Sequence, residues 1–467
     1  MTVINIIWLI FPIYFVAYYG ANFVLNLVAA VSVIRYSRNR GSDVLQLLYT
    51  KFEPPVSIIV PAFNEEACIN STVHSLMQIS YSEFEVIVVN DGSTDKTLEV
   101  LVEEFGLKPF PEVNRIQVKS APVRNIYRSS RYPNLSVIDK ENGGKADSSN
   151  AGINASIYPL FCVVDADSIL GRNSLETVVE PFVTDPTTVA SGGTIRIVNG
   201  CQVSDGYLVK VGLPTNPLAL FQVVEYLRAF LFGRIGWASM NALILISGAF
   251  GLFRKSAVVE IGGFRTDTVG EDMELVIRLH RHFLNKGEPY NIAYVPEPIC
   301  WTEAPGDLRT LKNQRLRWQR GLSESLTKNM GLLFSRRGGV AGWLAMPFYI
   351  VFEWLGPIIE VSGYLFTFIG VYTGLITVEA MWSFFIVAMG FGVFLSISTF
   401  LLEEIAFHIY PNFRHLFVLT IFAIIENLGY RQLNSLWRLW GLLLWAFGSK
   451  PQWGKMKRKA TWQVKGE

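Results

Sequence analysis

Residues 6 to 34 run IIWLIFPIYFVAYYGANFVLNLVAAVSVI without a single charge, and about twenty such residues cross the hydrocarbon core of a bilayer. No basic residue precedes the run, and it is longer than the apolar region of a leader peptide, so it predicts an uncleaved helical anchor. Arg35, Arg38 and Arg40 follow directly. The positive-inside rule puts them, and the chain up to the next span, in the cytoplasm with the N-terminus outside. From residue 51 onwards the pattern changes to short apolar runs separated by charged loops, the layout of one globular domain.

Four of those runs are rich in β-branched residues and end alike. VSIIVP (56 to 61) precedes a helix expected to begin near Glu65, and EVIVVND (85 to 91) ends in Asp91-Gly92-Ser93-Thr94-Asp95, which combines turn and helix-capping chemistry. LSVIDKEN leads through Gly143-Gly144 to a helix from Lys145 to Ser156, and LFCVVDAD ends at Asp167. Strand and helix alternating at intervals of about thirty residues predict a right-handed parallel α/β sheet. Its strands are apolar on both faces and therefore buried. A hairpin is expected at Asn199-Gly200, after TIRIV. Residues 219 to 240 predict an apolar helix with Gln222, Glu225 and Arg228 at intervals of three, either packed in the core or lying at a membrane interface with a polar stripe.

Further apolar blocks cover residues 343 to 376, 382 to 402 and 414 to 430, interrupted by Pro347, Pro357 and the charged stretch Glu403 to Arg414. Arg431 to Phe447 mixes arginine, tryptophan and leucine as interfacial helices do. Three full crossings here would put the lysine-rich tail outside, whereas its charge argues for inside, so one block is expected to be interfacial or re-entrant. The resulting division is an anchor at 1–40, a cytoplasmic domain at 50–330, transmembrane and interfacial helices at 340–447 and a basic cytoplasmic tail at 448–467. This implies a multi-pass protein of the cell (inner) membrane.

Composition agrees with that division: 50% of the 467 residues are hydrophobic and 13% aromatic, rich for a wholly soluble protein. The net charge of +2 gives no case for nucleic-acid binding. Basic residues cluster locally, at Lys108, Arg115, Lys119, Arg124, Arg128 and Arg131 and again at Lys455, Lys457, Arg458 and Lys459. Such clusters are solvated faces or, beside spans, contacts for anionic lipid. Cys68, Cys162, Cys201 and Cys300 show no metal or disulfide spacing, which predicts reduced thiols.

Open α/β sheets bind ligands at the carboxyl ends of their strands. There this chain places Pro61-Ala62-Phe63-Asn64-Glu65-Glu66, Asp91 and Asp165-Ala166-Asp167. Each alone reads as a helix cap or turn; together they read as a site. Lys145, between Gly-Gly and a helix start, suits an anion. Downstream lie Gly270-Glu271-Asp272 and Gln314-Arg315-Leu316-Arg317-Trp318, just before the chain turns apolar.

The series PAFNEE, NDGSTDKT, NGGKA, DAD, GED and QRLRW, flanked by membrane spans, resembles the processive membrane branch of the family 2 glycosyltransferases, which includes cellulose, hyaluronan and poly-N-acetylglucosamine synthases. By motif the resemblance covers residues 50 to 330, and QRLRW is its most specific element. It implies an α/β GT-A-like nucleotide-sugar-binding domain with N- and C-terminal transmembrane helices. Asp91 and Asp165 look like the carboxylates that hold uridine, with Ala62, Asn64 and Glu65 lining the same pocket and Lys145 on uridine or phosphate. Asp167 resembles the aspartate that binds Mg²⁺ or Mn²⁺, a cation that takes most of its ligands from diphosphate and water.

Asp272, beside Glu271, is the expected general base, placed to take the acceptor hydroxyl's proton opposite the diphosphate so that the anomeric centre inverts. The family often has Thr where this chain has Gly270. Arg317 suits phosphate oxygens, and the Trp318 indole offers an apolar platform for a sugar. Gln314, one turn before Trp318, faces the same site. Ser247-Gly248-Ala249-Phe250-Gly251 resembles the acceptor-side segment, with glycines that allow close approach.

The leading expectation is an inverting, membrane-embedded hexosyltransferase that adds sugar from UDP-glucose or UDP-N-acetylglucosamine to a growing β-linked polysaccharide, with room for export or assembly partners. Its rivals are transfer of a single sugar to a lipid-linked acceptor and, in another class, an inactive membrane scaffold or export component. Intact Asp91, Asp165, Asp167, Asp272 and Arg317 argue against the scaffold, which needs none of these groups.

Overall fold

The computed structural model describes residues 3–40, 53–111, 115–204, 207–410 and 412–449; the basic tail from Lys455 to Lys459 lies outside them. In chain order the main elements are α1 (Val3–Arg40), β1 (Val56–Ala62), α2 (Ile69–Met77), β2 (Phe84–Asn90), α3 (Thr97–Phe105), β3 (Leu107–Pro109), β4 (Val123–Ser129), β5 (Leu135–Lys140) and α4 (Lys145–Ala155). They continue as β6 (Leu160–Val164), β7 (Ile169–Leu170), α5 (Ser174–Thr184), β8 (Thr188–Ile197), β9 (Gln202–Ser204), β10 (Tyr207–Lys210), α6 (Pro217–Arg228), β11 (Phe250–Arg254), α7 (Glu271–Lys286), β12 (Asn291–Thr302) and α8 (Leu308–Lys328). The chain then forms α9 (Gly356–Tyr372), α10 (Val378–Ala406), α11 (Phe413–Ile425) and α12 (Tyr430–Ala446).

Ten strands make one sheet in the order β3-β4-β5-β2-β1-β6-β11-β8-β12-β7. Its centre, β5-β2-β1-β6, is parallel. The sheet as a whole is mixed rather than parallel as expected, because β4 returns against β5 and β11 enters antiparallel between β6 and β8. Alternation in the central strands explains their burial. Ile58, Val60, Val86, Val88 and Cys162 pack with α2, α3 and α5 on one face, while Ile59, Ile87, Val89 and Phe161 pack with α4 and α7 on the other. Side chains of period two thus feed two helical layers.

Two local expectations fail for identifiable reasons. The helix after β1 starts at Ile69 rather than near Glu65, because Asn64 adopts a left-handed φ of 57° and the next residues bond across to the loop after β2. Asn199-Gly200 does turn the chain, but β9 pairs with β10 and not with β8. At Gly200 the backbone crosses that of Leu213, so tightly that a Cβ would stand 2.4 Å from the Leu213 carbonyl. The basic residues Arg124 and Arg128 belong to β4 near the sheet's edge, where Arg128 lies over the Phe110 ring.

Among the described residues, two helical stretches, 10–38 and 378–406, are long and apolar enough to cross a membrane. Two bent pairs, 341–354 with 356–372 and 413–425 with 430–446, bend by 42° and 59° and raise the number to four if each is one span. The 13 residues of α11 reach only about 20 Å, short of a bilayer core. A third apolar cluster joins these helices to the domain: Ala29 and Val33 of α1, Val223 and Leu227 of α6, Phe400 of α10 and Leu419 of α11.

Candidate active site

The ends of β1 and β2 are tied by a bond from the Asp91 N–H to the Ala62 carbonyl, 2.9 Å. The buried Asp91 carboxylate accepts from Lys140 Nζ at 2.6 Å, from the Gly143 and Gly144 N–H groups at 3.0 and 2.8 Å, and from Asn142 Nδ2 at 3.2 Å. Four donors fill the acceptor capacity of one carboxylate. In this structure Asp91 therefore shapes the glycine loop that precedes Lys145, and does not stand as a free acid.

Lys140, fully buried, also pairs with Asp147 at 2.7 Å. The sequence reading missed it; a lysine closing a strand buried on both faces was the available signal. Asn64 and Glu65 knot the PAFNEE loop to the loop after β2. The Thr94 N–H bonds Asn64 Oδ1 at 2.8 Å, the Asn64 N–H bonds Ser93 Oγ at 3.1 Å, and the Glu65 N–H bonds Thr97 Oγ1 at 2.9 Å.

Beyond that loop lies a charged centre. Lys145, first residue of α4, makes an ion pair with Asp165, donates to the Gly248 carbonyl at 2.9 Å and stands 3.9 Å from Glu271. The Gly248 N–H in turn donates to Asp272 Oδ2 at 2.9 Å, and the Met273 N–H to Asp272 Oδ1 at 2.8 Å. A Cβ on Gly248 would come within 3.1 Å of both Lys145 Nζ and Asp272 Oδ2. The SGAFG segment is therefore part of the centre, and Lys145, Asp165, Glu271 and Asp272, far apart in the chain, meet here. Beside it a cavity of about 300 Å³ opens against Gly144, Lys145, Glu271 and Arg320.

Burial pushes the Glu271 carboxyl up to about 7, against the pull of Lys145 and with the help of Asp272. Burial also works against the Lys145 charge, but Asp165 and Glu271 outweigh it and raise the ammonium above its ordinary value. The Glu271 shift has a definite sign in stability. Its folded value exceeds its ordinary 4.5, so its stabilising contribution is whole below that pH and is lost as pH rises through 7. Thermal unfolding of the detergent-purified protein should show wild type losing stability relative to Glu271→Gln across this window and running parallel to it above. A wild type that gains on the variant as pH rises would contradict the placement.

α8 reaches the centre through a glycine contact. A Cβ on Gly270 would stand 2.8 Å from the Gly321 backbone, and Ser325 Oγ bonds the Gly270 carbonyl at 3.1 Å. Glycine in place of threonine at 270 thus matches a close backbone crossing. On α8, Gln314 and Arg315 are buried, Arg317 is partly buried, and Trp318 is 41% exposed, one turn from Gly321. The arginine beneath the Trp318 indole is Arg315, 4.7 Å from the ring centre, and not its neighbour Arg317. Asp167 is half-buried two residues after Asp165, in the turn between β6 and β7. Among the described residues no three His, Cys, Asp or Glu side chains form a cage for a metal.

Residues 57–257 match the family described as glycosyl transferase family 2, and residues 160–397, just over half the chain, match glycosyl transferase family group 2. The chain belongs to the family 2 glycosyltransferases. The transferase is 30% identical over 299 residues to the poly-β-1,6-N-acetyl-D-glucosamine synthase of Staphylococcus aureus (strain COL), a match covering 63% of this chain and 60% of that protein. To the protein of the same name from Staphylococcus epidermidis it is 27% identical over 275 residues, 59% of this chain and 56% of that one. The match thus spans about 60% of the first relative's length. Its fold aligns with the mannosyltransferase PcManGT of Pyrobaculum calidifontis, solved with GDP-Man and Mn²⁺, at a TM-score of 0.50 and 17% identity over 94% of this chain and 99% of that one. The enzyme has the GT-A fold.

The polar stripe on α6 joins the catalytic domain of the transferase to its C-terminal helices. Gln222 Nε2 donates to the Pro305 carbonyl at 2.8 Å, Glu225 holds Arg315, and Arg228 pairs with Glu426 and bonds Ser396 Oγ at 2.8 Å. The stripe is a seam between packed elements. α12 also lies against α8, where a Cβ on Gly441 would touch the Leu316 backbone at 3.2 Å, and Arg438 Nε donates to Gln319 Oε1 at 3.0 Å. The free cysteines are all buried.

Proposed function

We propose that this transferase lengthens a β-linked polysaccharide from a UDP-sugar of the N-acetylglucosamine class, with inversion, at the cytoplasmic face of the inner membrane. The observation that carries the reading is the meeting of Lys145, Asp165, Glu271 and Asp272 at the sheet's edge, with the exposed Trp318 indole one turn from the Gly270–Gly321 crossing. The name of the staphylococcal relatives supports the sugar, and the apolar helices beside the site support a membrane enzyme.

In this mechanism Asp272 takes the proton of the acceptor hydroxyl, its carboxylate oriented by the Gly248 and Met273 N–H groups. Lys145, at a helix start after two glycines, leaves Asp165 for the donor's phosphate oxygens. Asp165 and the loop organised by Asp91 bind the uridine, with Ala62, Asn64 and Glu65 completing that wall. Trp318 supports the acceptor sugar, flanked by Gln314, while Arg317 meets the diphosphate.

Asp167 fits Mg²⁺ or Mn²⁺ as a single hard carboxylate, since such ions complete their shell with diphosphate and water oxygens. When bound, the ion neutralises charge on the leaving nucleotide. The mannosyltransferase with the same fold was solved with Mn²⁺. Asp167→Ala should accordingly weaken Mn²⁺-dependent UDP binding and transfer together, as read by calorimetry over a Mn²⁺ titration. Unchanged metal dependence of UDP affinity would place the ion elsewhere.

The function is tested by UDP release from purified protein offered UDP-N-acetylglucosamine or UDP-glucose. Release with the first and little with the second is the expected result. Release with neither would overturn the donor assignment.

A further inference from the structure

Three elements meet at one carboxylate outside the catalytic centre. Glu225 of α6 pairs with Arg315 of α8, accepts from the Tyr430 hydroxyl at 3.1 Å and accepts from Asn434 Nδ2 at 3.2 Å, the last two lying one turn apart on α12. The Arg315 side chain is 9% exposed and that of Glu225 18%. On its far side the Arg315 guanidinium lies over the Trp318 ring. Arg315 Nε is buried without a hydrogen-bond partner, so the ion pair with Glu225 is the main compensation for burying that charge.

We infer that Glu225 is a positioning residue for the acceptor: it holds Arg315 under the Trp318 indole and so fixes the platform on which the growing chain rests. The inference rests on the platform reading of Trp318. Without the Glu225 charge, Arg315 is a buried cation with no counter-ion, and the accessible direction of relief is toward water, away from the ring. Trp318 is exposed and packed on one side, so loss of the guanidinium frees its rotamer. Among the described residues, no hydrogen bond or ion pair joins Asp91, Lys145 or Asp165 of the donor pocket to this network. The damage is therefore confined to the acceptor side, and the same carboxylate ties the platform to the seating of α12 through Tyr430 and Asn434.

The test is a double-mutant cycle in full-length protein in nanodiscs, with UDP-N-acetylglucosamine and Mn²⁺, reading product length, UDP release and UDP affinity for wild type, Glu225→Gln, Trp318→Ala and the double variant. Glu225→Gln should shorten products about tenfold, within the range expected of an ångström-scale misplacement, while UDP affinity holds. In the Trp318→Ala background it should change nothing further, because it acts through that ring. Tyr430→Phe and Asn434→Ala, which each remove one bond and leave the ion pair, should shorten products in the same direction, and they decide the matter if Glu225→Gln does not fold. Wild-type product length in Glu225→Gln, or in both milder variants, overturns the positioning role. So does an equal further loss in the Trp318→Ala background. Normal elongation by Trp318→Ala alone would instead overturn the platform reading.

Discussion

Asp272→Asn should abolish sugar transfer while leaving UDP affinity nearly unchanged. The asparagine retains the size of the side chain and one acceptor oxygen for the Gly248 or Met273 N–H, so the crossing of α7 and the SGAFG segment survives. What it loses is the capacity to take a proton, and general-base catalysis contributes about 10²- to 10⁴-fold. Residual turnover below about one hundredth of wild type is expected on that scale. Turnover above about a tenth, measured by UDP release per folded molecule, would exclude Asp272 as the base. Glu271 would then be next in line, since it stands beside the same lysine.

Trp318→Ala should cripple elongation and spare donor binding. The indole is exposed one helical turn from the Gly270–Gly321 crossing, which suits a surface for a sugar. Stacking on the acceptor contributes nothing to the nucleotide pocket, so UDP affinity should hold while products shorten. A membrane-anchor role predicts the reverse: poor insertion, with full activity in every correctly folded molecule. Product length and activity per folded molecule in detergent separate the two.

Strands β1, β2, β5 and β6 were legible because a central strand buried on both faces must be apolar along its length, and their terminal acids marked the sheet's edge. The antiparallel strands were harder to read. β4, next to the short edge strand β3, carries Arg124 and Arg128 and is largely exposed or half-buried, so it reads as a charged loop. The gathering of Lys145, Asp165, Glu271 and Asp272 followed from the motifs, but their bonding did not. That Lys145 spans Asp165 and the Gly248 carbonyl depends on a glycine contact with no periodic signature. Arg315 illustrates a further limit. Arg315, three residues before Trp318, shares its helix face as the adjacent Arg317 does not, but its ion pair with Glu225, ninety residues earlier, has no signature in the sequence. The bends at residues 341–372 and 413–446 fall where Pro357 and Gly429, with a φ of 119°, interrupt the helices, and hydropathy alone does not give their angles.

The most direct test of the account is the size distribution of the products made by the purified full-length transferase from UDP-N-acetylglucosamine and Mn²⁺ alone. The account predicts a polymer of many β-linked residues for each active molecule, absent in Asp272→Asn and shortened in Trp318→Ala. A product one sugar long attached to lipid, at full turnover and unchanged in Trp318→Ala, would contradict it.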